Sequence, residues 1–397
     1  MPRPRLIWVT PEAPDHAGGG GQLRQAHLLR RVAAAFETHL VVPDVFDDDL
    51  LRSAVRSVTA VPHDPPPPLE SWTPRKLRLL RHQLAERLPW DEALATAQRR
   101  HLGTALASVV EPGDLVVLEH LQLAPLLADL PPSVRSVLTV HYDGARQAAQ
   151  RAAIAPTSRN RWFWRSQERR ARRLQRFARR TADLLVAPSE QDAAALGAVV
   201  VPNGVDLDSF PPTPLPSALR VVLTATFDYA PNVDGAVWFA QRVWPQVLAA
   251  EPRAELHLVG RRPLAVVRAL TEQAGVHLHA DVPSVQPHLE AARVAVVPLR
   301  LGGGTRLKAL EALAAGRVLV GTTVGVEGLD VEDGVHALVH DEAAGLAQAI
   351  VAAMRDERLA QRLTSAGRDL VERRYGWDTI GARFVELLER VAASAPA

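Results

Sequence analysis

The residues best placed to do chemistry lie between 299 and 316, where Gly302, Gly303, Gly304, Thr305, Arg306, Lys308 and Glu311 follow one another closely. An apolar, strand-like run precedes them and a helical pattern follows. Three glycines in a row let the backbone come close to a ligand. The free N–H groups and positive end of the helix behind them then favour a phosphate. Arg306 and Lys308 put full positive charges into the first turn, against the helix dipole, unless an anion sits among them. Local conflict of that kind is a hint of function. Glu311 adds a carboxylate that can take two sugar hydroxyls. The spacing alone is met equally well by a glycine turn before an ordinary amphipathic helix with solvated charges. It is not a Walker loop, because the Gly-Lys-Ser/Thr ending is absent. The earlier glycine run, 18–21, departs from G-x-G-x-x-G at Leu23, which argues against a nicotinamide dehydrogenase.

Such residues need elements to hold them. The chain has 397 residues, room for two domains of ordinary size. Hydrophobic residues make up 47% and charged residues 23%, an ordinary globular balance. There are no cysteines, which removes disulfides, thiolate metal sites and cysteine nucleophiles. No apolar run is long enough to span a bilayer, and the apolar stretch after Arg3 and Arg5 is short for a signal peptide. The expected location is cytoplasmic, with peripheral contact at the inner face of the membrane as an option. Net charge is only +2, so nucleic acid is not an expected partner. The charge is uneven, however. Residues 151–180 hold eleven arginines and one acid, Glu168, with Trp162, Phe163 and Trp164 among them. That pattern fits a basic helix lying on an anionic membrane. It also fits a solvated helix with its aromatics in the core.

Short apolar runs at 6–9, 40–42, 115–118, 137–140, 184–187 and 199–201 read as buried parallel strands alternating with helices. The proline tract at 65–68 is stiff, and 75–102 and 159–182 have helical spacing. Residues 205–217 carry four prolines and no periodicity, so they read as a linker. Alternation then restarts, with strands near 221–224, 255–259, 276–278, 295–297 and 319–320. The helices there are predicted at 234–250, 263–274, 305–315, 343–374 and 377–393. Two such blocks imply an α/β protein of two doubly wound, Rossmann-like parallel-sheet domains. Ligands in these sheets sit at the carboxyl ends of the strands, so the expected site is a cleft faced by both domains.

The ordered motifs resemble retaining GT-B glycosyltransferases of family four, the bacterial glycosyl transferases group 1. The resemblance runs from the glycine run at 18–21 through Val186-Ala187-Pro188-Ser189-Glu190 to Val201-Pro202-Asn203-Gly204-Val205-Asp206. It continues with Tyr229-Ala230-Pro231-Asn232-Val233-Asp234, the segment 299–316, and Val324-Gly325-Val326-Glu327-Gly328-Leu329.

This resemblance implies an N-terminal acceptor-side domain over 1–204, the linker 205–217, and a nucleotide-sugar-binding domain over 218–376. A final helix near 377–397 would pack back on the first domain. It implies transfer from a nucleoside-diphosphate sugar to a hydroxyl acceptor on a glycan, glycolipid or natural product, with retention. No metal and no cofactor beyond that donor substrate are expected. Glu311 would hold the ribose hydroxyls. Gly303, Gly304, Thr305 and Arg306 would hold the diphosphate and sugar, with Val282 near the base. Gly20 and Gly21 would approach the phosphate from the first domain. His141 would lie near the donor sugar, with His120, next to Glu119, and Asp143 as acceptor-side candidates. The family often carries a glutamate eight residues before the one at 311, but Gly303 stands there. Its usual Arg and Lys pair after the first strand of the second domain is also missing; Phe227, Asp228 and Asn232 occupy that region. Arg306 and Lys308 are expected to replace the lost charge and to act with His141 as the catalytic groups. An epimerase on the same fold and a non-catalytic nucleotide-sugar binder are the alternatives.

Overall fold

The computed structural model describes residues 3–16, 18, 20–63, 88–89, 96–153, 155, 157–302 and 306–394. The proline tract at 65–68, the helical pattern over 75–87 and 90–95, Gly19, Gly303, Gly304 and Thr305 lie outside them. The chain forms two compact units, Met1–Pro202 with Ile380–Ala397, and Asn203–Thr379.

The first unit is built on β1 (Arg5–Val9), β2 (Glu37–Pro43), β3 (Ser57–Val61), β4 (Leu115–Glu119), β5 (Arg135–Thr139), β6 (Leu184–Ala187) and β7 (Val199–Val200). All pair in parallel, in the order β3-β2-β1-β4-β5-β6-β7. Its helices are α1 (Gly20–Ala35), α2 (Asp49–Ala54), α3 (Thr96–Val109), α4 (Gly144–Ala153), α5 (Ser158–Thr181) and α6 (Glu190–Leu196). Leu6, Ile7, Trp8 and Val9 are wholly buried, which is why β1 reads as a continuous apolar run rather than an alternating one. The strand order reverses beside β1, with β2 on one side and β4 on the other. Such a switch point opens a crevice at the carboxyl ends of the strands.

The second unit repeats the plan with β8 (Arg220–Thr226), β9 (Glu255–Arg261), β10 (Val276–Ala280), β11 (Val294–Val297), β12 (Val318–Gly321) and β13 (Leu338–Val339), in the order β10-β9-β8-β11-β12-β13. Its helices are α7 (Ala230–Trp238), α8 (Trp244–Ala250), α9 (Ala265–Arg268), α10 (Gln286–Glu290), α11 (Leu307–Ala314), α12 (Ala343–Arg355) and α13 (Glu357–Arg374). α14 (Trp377–Ala393) follows, and from Ile380 onward it belongs to the first unit. There Phe384 meets Trp8 edge to face, ring centroids 6.2 Å apart. The reversal in this sheet lies between β8 and β11.

Three helices are shorter than their periodicity predicts. The 234–250 pattern is divided by a π-turn over 239–243, because Pro245 has no N–H to close a regular turn. The 343–374 pattern is cut at Asp356, which takes an extended conformation and caps α13 by accepting from Leu359 N at 2.9 Å. The 263–274 pattern yields α9 and one 3-10 turn, ended by extended Gln273. The proline-rich stretch is tied down within the second unit. Buried Arg317 donates to Thr213 Oγ1 at 2.9 Å and to the carbonyls of Glu290 and Ala292 at 3.2 Å. Prolines supply carbonyls but no donors, and one guanidinium with five N–H groups answers several of them.

Candidate functional site

In the second unit the relevant groups gather at the β8/β11 switch point. α11 is anchored by Ala309, Leu310, Ala312 and Leu313, all with no exposed surface. Each leucine contributes about 1.5–3 kcal/mol of apolar burial. α13 closes on it at Gly367, where an added Cβ would lie 2.6 Å from Leu313 Cδ2. The exit of β11 is gripped by two more glycines. A Cβ on Gly235 would stand 2.8 Å from the Pro298 carbonyl oxygen, and one on Gly325 would stand 2.0 Å from that of Val297.

On this mounting, Lys308 Nζ donates to Asn232 Oδ1 at 2.7 Å, while Asn232 Nδ2 donates to the Thr226 carbonyl at 2.9 Å. Burial lowers the Lys308 ammonium to about 8, with Arg306 adding to the effect. Burial raises the Glu311 carboxyl to about 7, against the pull of Lys308. The Glu311 carboxylate makes no hydrogen bond among the described residues. A cation and a carboxyl one helical turn apart on α11, both moved towards neutral pH by burial, mark a candidate binding site. Lys308 thus reaches the region where the sequence lacks the family's basic pair.

Arg306 is turned elsewhere. Its guanidinium is 6% exposed and donates to the carbonyls of Val324 at 2.7 Å and Gly302 at 3.2 Å, with Glu327 at 3.3 Å. These bonds tie the glycine loop to the turn after β12, a holding role distinct from the charge expected of it. Val282 is partly buried against the core beneath the loop following β10. Gly303, Gly304 and Thr305 lie outside the described residues.

In the first unit a polar network fills the β1/β4 switch point. Glu119 ends β4 with its side chain fully buried, accepting from Thr139 Oγ1 and lying 2.8 Å from His141 Nε2. His120 Nε2 is 2.9 Å from Glu12 and 3.1 Å from Gln25, and Gln25 reaches Thr10 Oγ1 at 2.6 Å. The His120 and His141 rings stack at 3.9 Å. Burial and the charge of His120 bring His141 down to about 4, so it is a neutral imidazole at neutral pH. Burial opposes ionisation of Glu119, but His141, His120 and Thr139 overcome it and its pKa is lowered. Burial likewise opposes the His120 cation, and Glu12 overcomes it, raising the pKa. With Nε2–H committed to Glu119, His141 presents Nδ1 beside Gly21, where an added Cβ would lie 3.2 Å away. His120 sits at φ 70 and ψ 142, a conformation that costs a non-glycine residue about 1–3 kcal/mol and is concentrated at functional sites.

The sequence-predicted residues of this unit therefore part company. His120, His141 and Gly21 come together, and Gly20 is exposed at the start of α1. Asp143 does not join them. Its Oδ1 accepts from Ala145 N at 2.9 Å, Arg146 N at 3.1 Å and Gln175 Nε2 at 2.8 Å, so the carboxylate caps α4 and braces α5. Glu12, Gln25 and Thr10 were missed, because no local pattern sets them apart. Asn232 was noted only as a replacement. Glu119 carried a usable signal, a carboxylate closing an otherwise apolar strand.

Comparison with known proteins bears directly on the second unit. Residues 218–356 match the family profile of glycosyl transferases group 1. Over those residues the second unit is similar to a group 1 glycosyl transferase domain. Phosphatidyl-myo-inositol mannosyltransferase of Mycobacterium tuberculosis is 27% identical over 228 residues, covering 52% of this chain and 57% of that protein. D-inositol 3-phosphate glycosyltransferase of Xylanimonas cellulosilytica is 32% identical over 251 residues, covering 54% and 59%. The chain thus spans rather more than half the length of the curated relatives it matches. Sucrose-phosphate synthase from Thermosynechococcus elongatus superposes with a TM-score of 0.70 at 20% identity, covering 98% of this chain and all of that one. HepE from Anabaena, solved in complex with UDP, gives 0.65 at 15% identity, covering 97% of this chain and all of that one. The architecture is the GT-B fold, with two Rossmann-like parallel-sheet domains. The matched residues take in Asn232, the glycine loop, Lys308 and Glu311.

Proposed function

We propose that the chain is a glycosyltransferase that moves a sugar from a nucleoside-diphosphate donor to a hydroxyl acceptor, without a metal and with retention at the sugar carbon. The observation that carries this reading is the pair Lys308 and Glu311 at the start of α11, behind a glycine loop at the β8/β11 switch point. The ammonium and free helix amides suit a diphosphate, and the carboxylate suits vicinal ribose hydroxyls. As the bond to the sugar breaks, negative charge collects on the leaving phosphate, and preorganised donors stabilise it. HepE, solved with UDP, supports such a donor. The relatives are named as transferases, which favours transfer over epimerisation. In the first domain the neutral His141, oriented by Glu119, is suited to hydrogen-bond a sugar hydroxyl through Nδ1. The chain incubated with UDP- and GDP-sugars and candidate acceptors should yield a glycosylated product. Binding of the donors without any transfer would leave a non-catalytic binder instead.

Peripheral membrane contact belongs to the same proposal. α5 buries Gln167, Ala171, Leu174, Gln175 and Ala178 along one face, and Trp162 is 69% exposed. Trp164 is covered by Arg151 at 4.7 Å. The exposed arginines and Trp162 suit an anionic lipid surface, which would serve a lipid-linked acceptor. The chain should sediment with phosphatidylglycerol vesicles at low salt, be released at high salt, and lose affinity on Trp162→Ala. Equal behaviour with phosphatidylcholine would remove the proposal.

A further inference from the structure

Away from the donor loop, the second unit carries a histidine cluster that sugar transfer does not use. β10 is the outer strand of the sheet, and β9 pairs with it in a register that sets His257 opposite His277. Leu256 and Leu258 turn into the main core, so by alternation Glu255 and His257 share the opposite face with His277. The ligating atoms of Glu255, His257 and His277 all lie within 4.8 Å of one another, and no other group of three or more such residues does so among the described residues. Glu255 opens β9. The cluster therefore lies at the amino ends of these strands, the opposite end from the loops that carry Asn232 and Lys308.

We infer that Glu255, His257 and His277 form a site for a divalent transition metal, with zinc the natural occupant. The reason lies in the bonding around His257. Its Nε2 is 3.1 Å from Glu255 Oε2. Its Nδ1 is 2.8 Å from His279 Nε2. Without a metal, Nε2–H donates to the Glu255 carboxylate and Nδ1 accepts from His279. A metal between His257 Nε2 and Glu255 would replace that proton. Nδ1–H would then donate to His279, which fixes the ring as a second group does for a ligating imidazole. His279 in turn meets His288, ring centroids 4.5 Å apart, so the supporting group is itself backed by an imidazole.

Tetrahedral zinc with bonds of 2.0–2.2 Å needs its ligand atoms roughly 3.4 Å apart. The Glu255 side chain is 48% exposed and His277 is exposed, so both can rotate inward while buried His257 stays fixed. Two imidazoles and one carboxylate favour zinc, nickel or copper over magnesium or calcium. One charge opposes binding: Arg220 lies 3.4 Å from Glu255 Oε2 and must give up that contact when the carboxylate turns.

The test uses the untagged full chain after treatment with EDTA, titrated with Zn2+ by calorimetry and with Co2+ by visible absorption. The expected result is one Zn2+ per chain, with Co2+ giving the d–d bands of a four- or five-coordinate nitrogen and oxygen site. His277→Gln and Glu255→Gln change exposed side chains, leave the circular dichroism unaltered, and should each weaken binding at least about tenfold. Arg220→Gln should tighten it. Titrations of His277→Gln and Glu255→Gln that match the parent, or Co2+ spectra of the hexa-aqua ion, would overturn the assignment. UDP binding is measured alongside without metal, so loss of the donor reading and loss of the metal site are told apart.

Discussion

Glu311→Ala is expected to weaken binding of the cognate nucleoside diphosphate by about 100-fold. A hydrogen bond to a charged group contributes about 1.5–3 kcal/mol, and the carboxylate is placed to take two hydroxyls. Calorimetry with UDP and GDP measures this, and an affinity equal to the parent's would sink the ribose assignment. The pH dependence follows from the same two residues. Glu311 titrates at about 7 and Lys308 at about 8. Affinity should rise towards pH 7 as the carboxylate forms, and fall above pH 8 as the ammonium is lost. The diphosphate's own ionisation, with a second pKa of about 6, is common to parent and variant. The difference between the parent and Glu311→Gln therefore isolates the side chain, and the variant should lack that part of the acid limb. Stability moves the other way. The folded pKa of Glu311 lies above its ordinary 4.5, so the carboxyl's contribution is full below pH 4.5 and is lost as pH rises through 7. Glu311→Gln should raise the melting temperature at pH 8 and leave it nearly unchanged at pH 5.

Glu119→Ala should be the most damaging single change in the first domain, costing about 2–5 kcal/mol, since it leaves two buried donors without an acceptor. Thr139 and His141 would each lose their acceptor, and Arg24, buried nearby and brought down to about 10 by that burial, would lose its neighbouring charge. Chemical denaturation measures the loss. Glu119→Gln keeps the shape and an acceptor oxygen, so it should fold. Without the carboxylate the ring is no longer held to one tautomer, and turnover should drop while nucleotide affinity in the second domain stays as it was. A stable, fully active Glu119→Ala protein would show that the network orients nothing.

Much of this was legible because it is local. The apolar runs of β1, β4 and β11 are buried on both faces, so composition alone reveals them. The glycines before α11 announce a helix start where backbone can come close to a ligand. What escaped was set by tertiary contacts. Nothing in the sequence says that Arg306 turns to Val324 while Lys308, two residues on, meets Asn232. Nor does it show that Asp143 is consumed as a helix cap, or that Glu12 and Gln25 fold over His120. The helix breaks at Pro245 and Asp356 were written in residue types whose preference for turns and caps was outweighed, in the reading, by apolar periodicity.

The glycines at 235 and 325 also set the terms on which this protein can be redesigned. Each leaves less space than a methyl group needs against the backbone leaving β11, so variation there will be purged as misfolding before any change of donor can be scored. A library aimed at new sugars gains by leaving both codons fixed. Its diversity is better placed at Val282 and Asn232, where side chains can change without moving the strand on which the rest is mounted.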